Sequence, residues 1–214
     1  MKIQTTQYNR SRKSGAFTLI EMIGVLAVIA ILAALLIPKV FEAINNSRIN
    51  NAAVSYNTCK TALTDHYAKY GTLLSSNGVT IAAGVGEALA YDKVLLTEGF
   101  LDKPFQVKIG DNVGTRVEAV AGVAATTVAT GGNSAYDLDG TGAVPINDAG
   151  AVGSTVVQAV ITGVTSSDAK DLNDRLDGPA LGAALGLVDI LGRVKYATPS
   201  AAGLTDVYIY VTHR

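Results

Sequence analysis

Glu21 is the residue whose surroundings demand chemistry. It stands in the stretch Phe17 to Ile37, FTLIEMIGVLAVIAILAALLI, where no other side chain is charged. A carboxylate inside a membrane-length apolar segment costs about 2.5–3.5 kcal/mol on insertion scales, so it needs a partner. A cut between Ala16 and Phe17 would create one, a new α-amine four residues before Glu21. Positions i and i+4 share a helix face. The amine would neutralise Glu21 within one chain, or Glu21 would reach the amine of an adjacent chain. The second arrangement turns a costly charge into an assembly register.

The remaining reactive residues offer less. The two histidines, His66 and His213, have no partner at metal-ligand spacing. Cys59 is the only cysteine, so no intramolecular disulfide can form. It falls on an apolar helical stripe and is expected to be a buried thiol. Asp137-Leu138-Asp139-Gly140 is a fragment of a calcium-loop pattern, and Asp137 and Asp139 are the only candidates for Ca2+. The spaced third acid and the closing Glu are missing, so a solvated turn is the expectation and no cofactor is called for. Gly132-Asn133-Ser134-Ala135-Tyr136 fails the nucleophile elbow for want of its last glycine. No catalytic constellation emerges.

The elements that must position Glu21 begin with a basic leader. Residues 1–16 carry Lys2, Arg10, Arg12 and Lys13 and no acid. Removing them leaves 13 basic against 18 acidic residues, a net charge of about −5. No basic patch remains to meet a nucleic-acid backbone. About 21 residues are enough to cross a bilayer at about 1.5 Å per residue. Positive charge before the run predicts a cytoplasmic N-terminus and an exported C-terminal part. A secretory signal would place its small-residue cleavage site after the run, but Pro38, Lys39, Val40 and Phe41 stand there. The small residues Ser14, Gly15 and Ala16 precede it instead, so a cut there leaves the apolar helix on the mature chain.

The segment Gly15-Ala16-Phe17-Thr18-Leu19-Ile20-Glu21 resembles the prepilin peptidase site of type IV pilins and type II secretion pseudopilins. That resemblance implies cleavage before Phe17, methylation of its amine, and a register role for Glu21. The family usually has Gly before the cut; Ala16 stands there in this chain, which leaves cleavage after Gly15 as the alternative. Pro38 matches the helix-kinking proline of many pilins. The resemblance further implies a homo-oligomer in a helical filament, with prepilin peptidase, an inner-membrane assembly platform and, before assembly, the lipid bilayer as partners. Its precursor would lie in a bacterial inner membrane, and the assembled form in a surface pilus or a periplasmic filament.

Beyond Pro38, which removes one helical hydrogen bond, the period stays helical. Phe41, Ile44, Ile49, Ala52, Tyr56, Cys59, Ala62, Leu63, Tyr67 and Tyr70 share one stripe, with His66 on it. Asn50, Asn57, Thr61, Thr64 and Ala68 lie opposite, and Gly71 is a natural stop. Residues 71–214 turn rich in Gly, Val, Thr and Ala, which predicts short strands and turns. Strands are expected at Gln106–Ile109, Thr115–Val120, Val156–Thr162, Arg193–Tyr196 and Val207–Thr212, the last with Tyr208 and Tyr210 on an exposed face. Short helices are expected at Glu87–Glu98 and at Thr165–Asp177, the latter capped by Thr165 or Ser166. LLTEGFLDKPF resembles the segment after the long helix in pseudopilins. Leu176-Asp177-Gly178 with Gly192-Arg193-Val194 is similar to a segment in some pilin-like proteins.

The expected fold is α+β, a long N-terminal helix on an antiparallel sheet. Its expected parts are a removable leader 1–16, a spanning half-helix 17–37, an amphipathic half 38–70 and a β-rich exported domain 71–214. The expected role is a filament subunit rather than an enzyme. A pseudopilin or minor pilin is the alternative within the class. A single-pass anchored binding protein is the rival outside it.

Overall fold

The computed structural model describes residues 17–73, 91–121, 136 and 155–213. It is α+β as expected, with a four-stranded antiparallel sheet. The chain forms two compact units, Met1–Ile44 and Asn45–Arg214.

Helix α1 runs from Leu19 to Tyr70, uninterrupted at Pro38. Pro38 therefore starts no helix of its own; only the hydrogen bond its missing N–H would have made is absent. Gly71 ends the helix with φ +66°, a conformation that Gly adopts without strain, while its N–H still donates to the Tyr67 carbonyl.

In the second unit the buried face of α1 is Ile49, Ala52, Ala53, Tyr56, Cys59, Ala62, Leu63 and His66. Steps of three and one residues keep these on one side. Asn50, Asn57, Thr61, Thr64 and Ala68 are exposed, as their spacing predicts. The stripe is shorter than expected. Phe41 and Ile44 are 68% and 45% exposed because they belong to the first unit, and Tyr67 lies at the margin of the face.

The sheet contains β1 (Asp111–Ala121), β2 (Thr155–Thr165), β3 (Val194–Tyr196) and β4 (Leu204–His213), in the order β1-β2-β4-β3. Val157, Ala159, Ile161, Val207, Ile209 and Val211 face the α1 core. Each large apolar side chain so buried contributes about 1.5–3 kcal/mol. The Tyr56 hydroxyl donates to the Tyr210 carbonyl at 2.7 Å, beside a register shift between β2 and β4. Tyr208 and Tyr210 are half-buried rather than exposed. Strand β4 is interior to the sheet, and the Tyr136 ring packs on Tyr210 with centroids 5.2 Å apart.

Gln106–Ile109 is not a strand. Its alternation is real, with Phe105, Val107 and Ile109 buried between exposed neighbours, but no described strand pairs with it. Period-two burial is necessary for a strand and not sufficient. The carboxylate of Asp92 organises this segment instead, accepting from the Phe105 and Val117 N–H groups. Asp92 sits on α2 (Tyr91–Thr97); the four residues before α2 lie outside the described residues. Helix α3 (Ser166–Leu176) begins as expected, with Thr165 Oγ1 accepting from Asp168 N.

Two further carboxylates fasten the segment between α3 and β3. Asp177 accepts from Arg193 N, Arg193 Nε and Val194 N. Gly192 is required there, since a Cβ would lie 2.5 Å from Asp177 Oδ2. Asp189 accepts from Asn173 Nδ2, Ala183 N and Leu191 N, and its backbone bridges to Tyr196. Burial pushes the Asp189 pKa up, against the pull of the Ala183 and Leu191 N–H groups.

Replacing Asp177 with Ala strands its backbone donors. A loss of about 2–3 kcal/mol is expected in denaturant unfolding of the full chain in detergent, with Asp177→Asn less severe. Lys195 gives a pH-dependent test. It is fully buried, with Nζ 3.9 Å above the Tyr136 ring, and burial lowers its pKa from the ordinary 10.5 to about 7. Above that value the folded chain releases a proton that the unfolded chain still holds, so stability rises from about pH 7 to pH 9.5. Lys195→Met should flatten that rise in thermal melts.

Candidate processing and assembly segment

The N-terminal end of α1 is built by Thr18 and Glu21. Thr18 precedes the first helical residue, and Glu21 is the third residue of the helix. Glu21 Oε2 accepts from Thr18 N and from Thr18 Oγ1, both at 2.8 Å, while Glu21 N lies 3.3 Å from Thr18 Oγ1. This is a capping box, in which two otherwise orphaned donors are answered by one pair of side chains. The negative charge also sits where the helix dipole favours it.

The box gives Glu21 a partner that charge reasoning had not supplied. The expectation pairs Glu21 with the amine that a cut would create at residue 17, in its own chain or the next; in the uncut chain the carboxylate bonds Thr18, three positions back. Its signal was in the sequence as Thr18-Leu19-Ile20-Glu21, the T-x-x-E spacing of a capped helix start. Thr18 is thus the capping residue that charge alone does not point to. Phe17, directly before it, is 79% exposed.

From Met22 to Ile44 every large apolar side chain is exposed, including Ile23, Leu26, Ile29, Leu32, Leu36 and Phe41. Water does not tolerate such a surface on one helix; lipid or other apolar helices must cover it. Among the described residues α1 alone is long and apolar enough to cross a membrane. Lys39 and Glu42 form an exposed ion pair at 2.9 Å near the end of this stretch.

The other singled-out residues are dispersed. Gly15, Ala16, Asp137 and Asp139 lie outside the described residues. Cys59 is buried, and burial raises its pKa to about 12, so it is an inert thiol. His66 is buried among the rings of Tyr70, Tyr91 and Phe100, with Nε2 2.8 Å from Glu98 Oε2. That environment is a packing role. His213 Nδ1 meets the Tyr210 hydroxyl at 2.6 Å. The described residues contain no cluster of three metal-ligating side chains.

Residues 11–37 match the family model of the prokaryotic N-terminal methylation motif. It is the prepilin-type signal of type IV pilins and pseudopilins. The match covers the end of the basic N-terminal stretch, the capping box and the apolar run, and it supports a type IV pilin-like or pseudopilin protein. With the apolar helix it fits a membrane-anchored precursor. No curated protein and no solved structure matches the chain.

Thr18→Ala removes the box. The loss of about 1 kcal/mol at the helix start should speed amide exchange of Leu19–Met22 about fivefold in micelles. Thr18→Ser should preserve protection.

Proposed function

We propose that this chain is the structural subunit of a type IV pilus or pilus-like filament, cut between Ala16 and Phe17 and methylated on the Phe17 amine. The observation that carries this reading is the half-helix Met22–Ile44, whose large apolar side chains are all exposed behind a capped Glu21. A plain anchor needs the apolar surface but not the acid.

The physics of assembly assigns Glu21 its part. Lipid tails are as apolar as leucine, so exchanging lipid for neighbouring helices brings no hydrophobic gain. Van der Waals packing and polar pairs must supply the difference. The leader keeps the residue-17 nitrogen in an amide, which carries no charge. Cleavage converts it into an amine, and Glu21 of one copy pairs with that amine of the next. Pro38 loosens the helix one turn before the Lys39–Glu42 pair ends, easing its fit among neighbours. The exported unit, with its sheet and loops, faces outward.

A secretion pseudopilin or minor pilin uses the same N-terminal device and differs in where the product accumulates. The test is the N-terminal residue and intact mass of the protein from sheared surface material and from membranes. A chain beginning at methylated Phe17 in the sheared fraction is expected. The processed chain in membranes alone would favour the pseudopilin or minor component. An intact leader in both fractions, with the peptidase active, would overturn the reading in favour of an anchored binding protein. Glu21→Ala should still insert and be cut, but its filament yield should fall about tenfold or more with loss of the pair.

A further inference from the structure

The cut proposed above has to act on a bond next to a helix. Hydrolysis adds the oxygen of water to the Ala16 carbonyl carbon, breaks the C–N bond to Phe17, and lets the Phe17 nitrogen leave with a proton as an amine. Inside a helix that carbonyl would be taken by the N–H four residues on. The chain at the bond therefore has to stay extended while the apolar run beyond it is helical.

The capping box draws that boundary. Phe17 and Thr18 lie outside the helix, which begins at Leu19. The Thr18 carbonyl accepts from Met22 N at 3.3 Å and opens the helical ladder. In a helix reaching one residue further back, the Phe17 carbonyl would accept from Glu21 N. That N–H meets Thr18 Oγ1 instead, also at 3.3 Å. The Thr18 N–H, part of the peptide group that follows Phe17, is held by Glu21 Oε2 at 2.8 Å. One pair of side chains thus fixes the chain directly after Phe17, and Phe17 itself is 79% exposed. The run offers no substitute. From Leu19 to Ile44 the sequence has no Ser, Thr, Asn or Asp, the side chains that best cap a helix start.

We infer that Thr18 is a positioning residue for the cut: through Glu21 it stops the helix and presents Phe17 to the peptidase in extended chain. The inference rests on the processing reading above and not on filament formation. A segment costs less to bind when it already holds its bound conformation. Without the box, the first residues exchange between frayed chain and helix, and both have to be reordered before the bond is cut. Glu21 then has two separable parts, an acceptor for the cap before the cut and a charge for the new amine after it.

Purified prepilin peptidase acting on the full chain in detergent micelles gives the test, with initial rates read from the intact mass of the products. The unchanged chain should lose residues 1–16. Thr18→Ala and Thr18→Val, which lack the hydroxyl, should lower kcat/KM about fivefold, the weight of one lost cap. Thr18→Ser and Thr18→Asn, which cap, should be cut at the unchanged chain's rate. Valine keeps the outline of threonine and asparagine does not, so a peptidase that read side-chain shape would reverse that order. Thr18→Val at full rate, Thr18→Asn as slow as Thr18→Val, or Thr18→Ala cut faster than the unchanged chain would each overturn the inference. Glu21→Ala also breaks the box and should be cut to completion but more slowly. Glu21→Gln, which keeps an acceptor for the cap, should be the faster of the two, and equal rates would count against the box. An unchanged chain left whole by active peptidase would overturn the processing reading, and the inference with it.

Discussion

A carboxylate at the head of an apolar helix has to be answered by hydrogen-bond donors, and the rest of the first unit follows from how that demand is met. Thr18 meets it locally, through its own N–H and hydroxyl. The charge therefore enters an apolar environment already partnered. Both bonds fall on Oε2, so a later partner can be taken on Oε1 beside Thr18.

The second unit solves a different problem, that of holding a glycine-rich fold without a disulfide. Three buried or half-buried carboxylates take that role. Asp92 joins α2 to the loop and to β1, Asp177 joins the end of α3 to the start of β3, and Asp189 joins α3, its following loop and Tyr196. Each satisfies backbone N–H groups that irregular chain would otherwise leave unpaired. The arrangement works in any redox environment, and it leaves Cys59 as a small apolar filler.

Much of this was legible in the sequence. The apolar run, its acid and the small residues before it carry strong local signals, as do the stripe on α1, the Thr165 cap and the alternation in β4. The failures have physical causes. Gln106–Ile109 has the burial pattern of a strand, but a strand also needs a neighbour, and neighbours are set by topology. Phe41 and Ile44 continue the helical period beyond the point where a domain covers it. Tyr208 and Tyr210 alternate correctly, yet their face is half-buried because β4 is interior and Tyr136 folds back over it. The joining of Asp177 to Arg193 crosses 16 positions, and spacing of that kind announces nothing until the chain is folded. The capping box was within reach of sequence reasoning, masked by attention to charge.

Strand order bears on the route by which such a chain becomes native. Of the described strands β4 is made last, and it lies between β2 and β3, hydrogen-bonded to both. The sheet stays open down its middle until that strand arrives, and the α1 face has only part of its cover. In the export proposed above, the sheet would close only after β4 had crossed. A sheet whose keystone is the last made of its described strands closes only when that strand arrives.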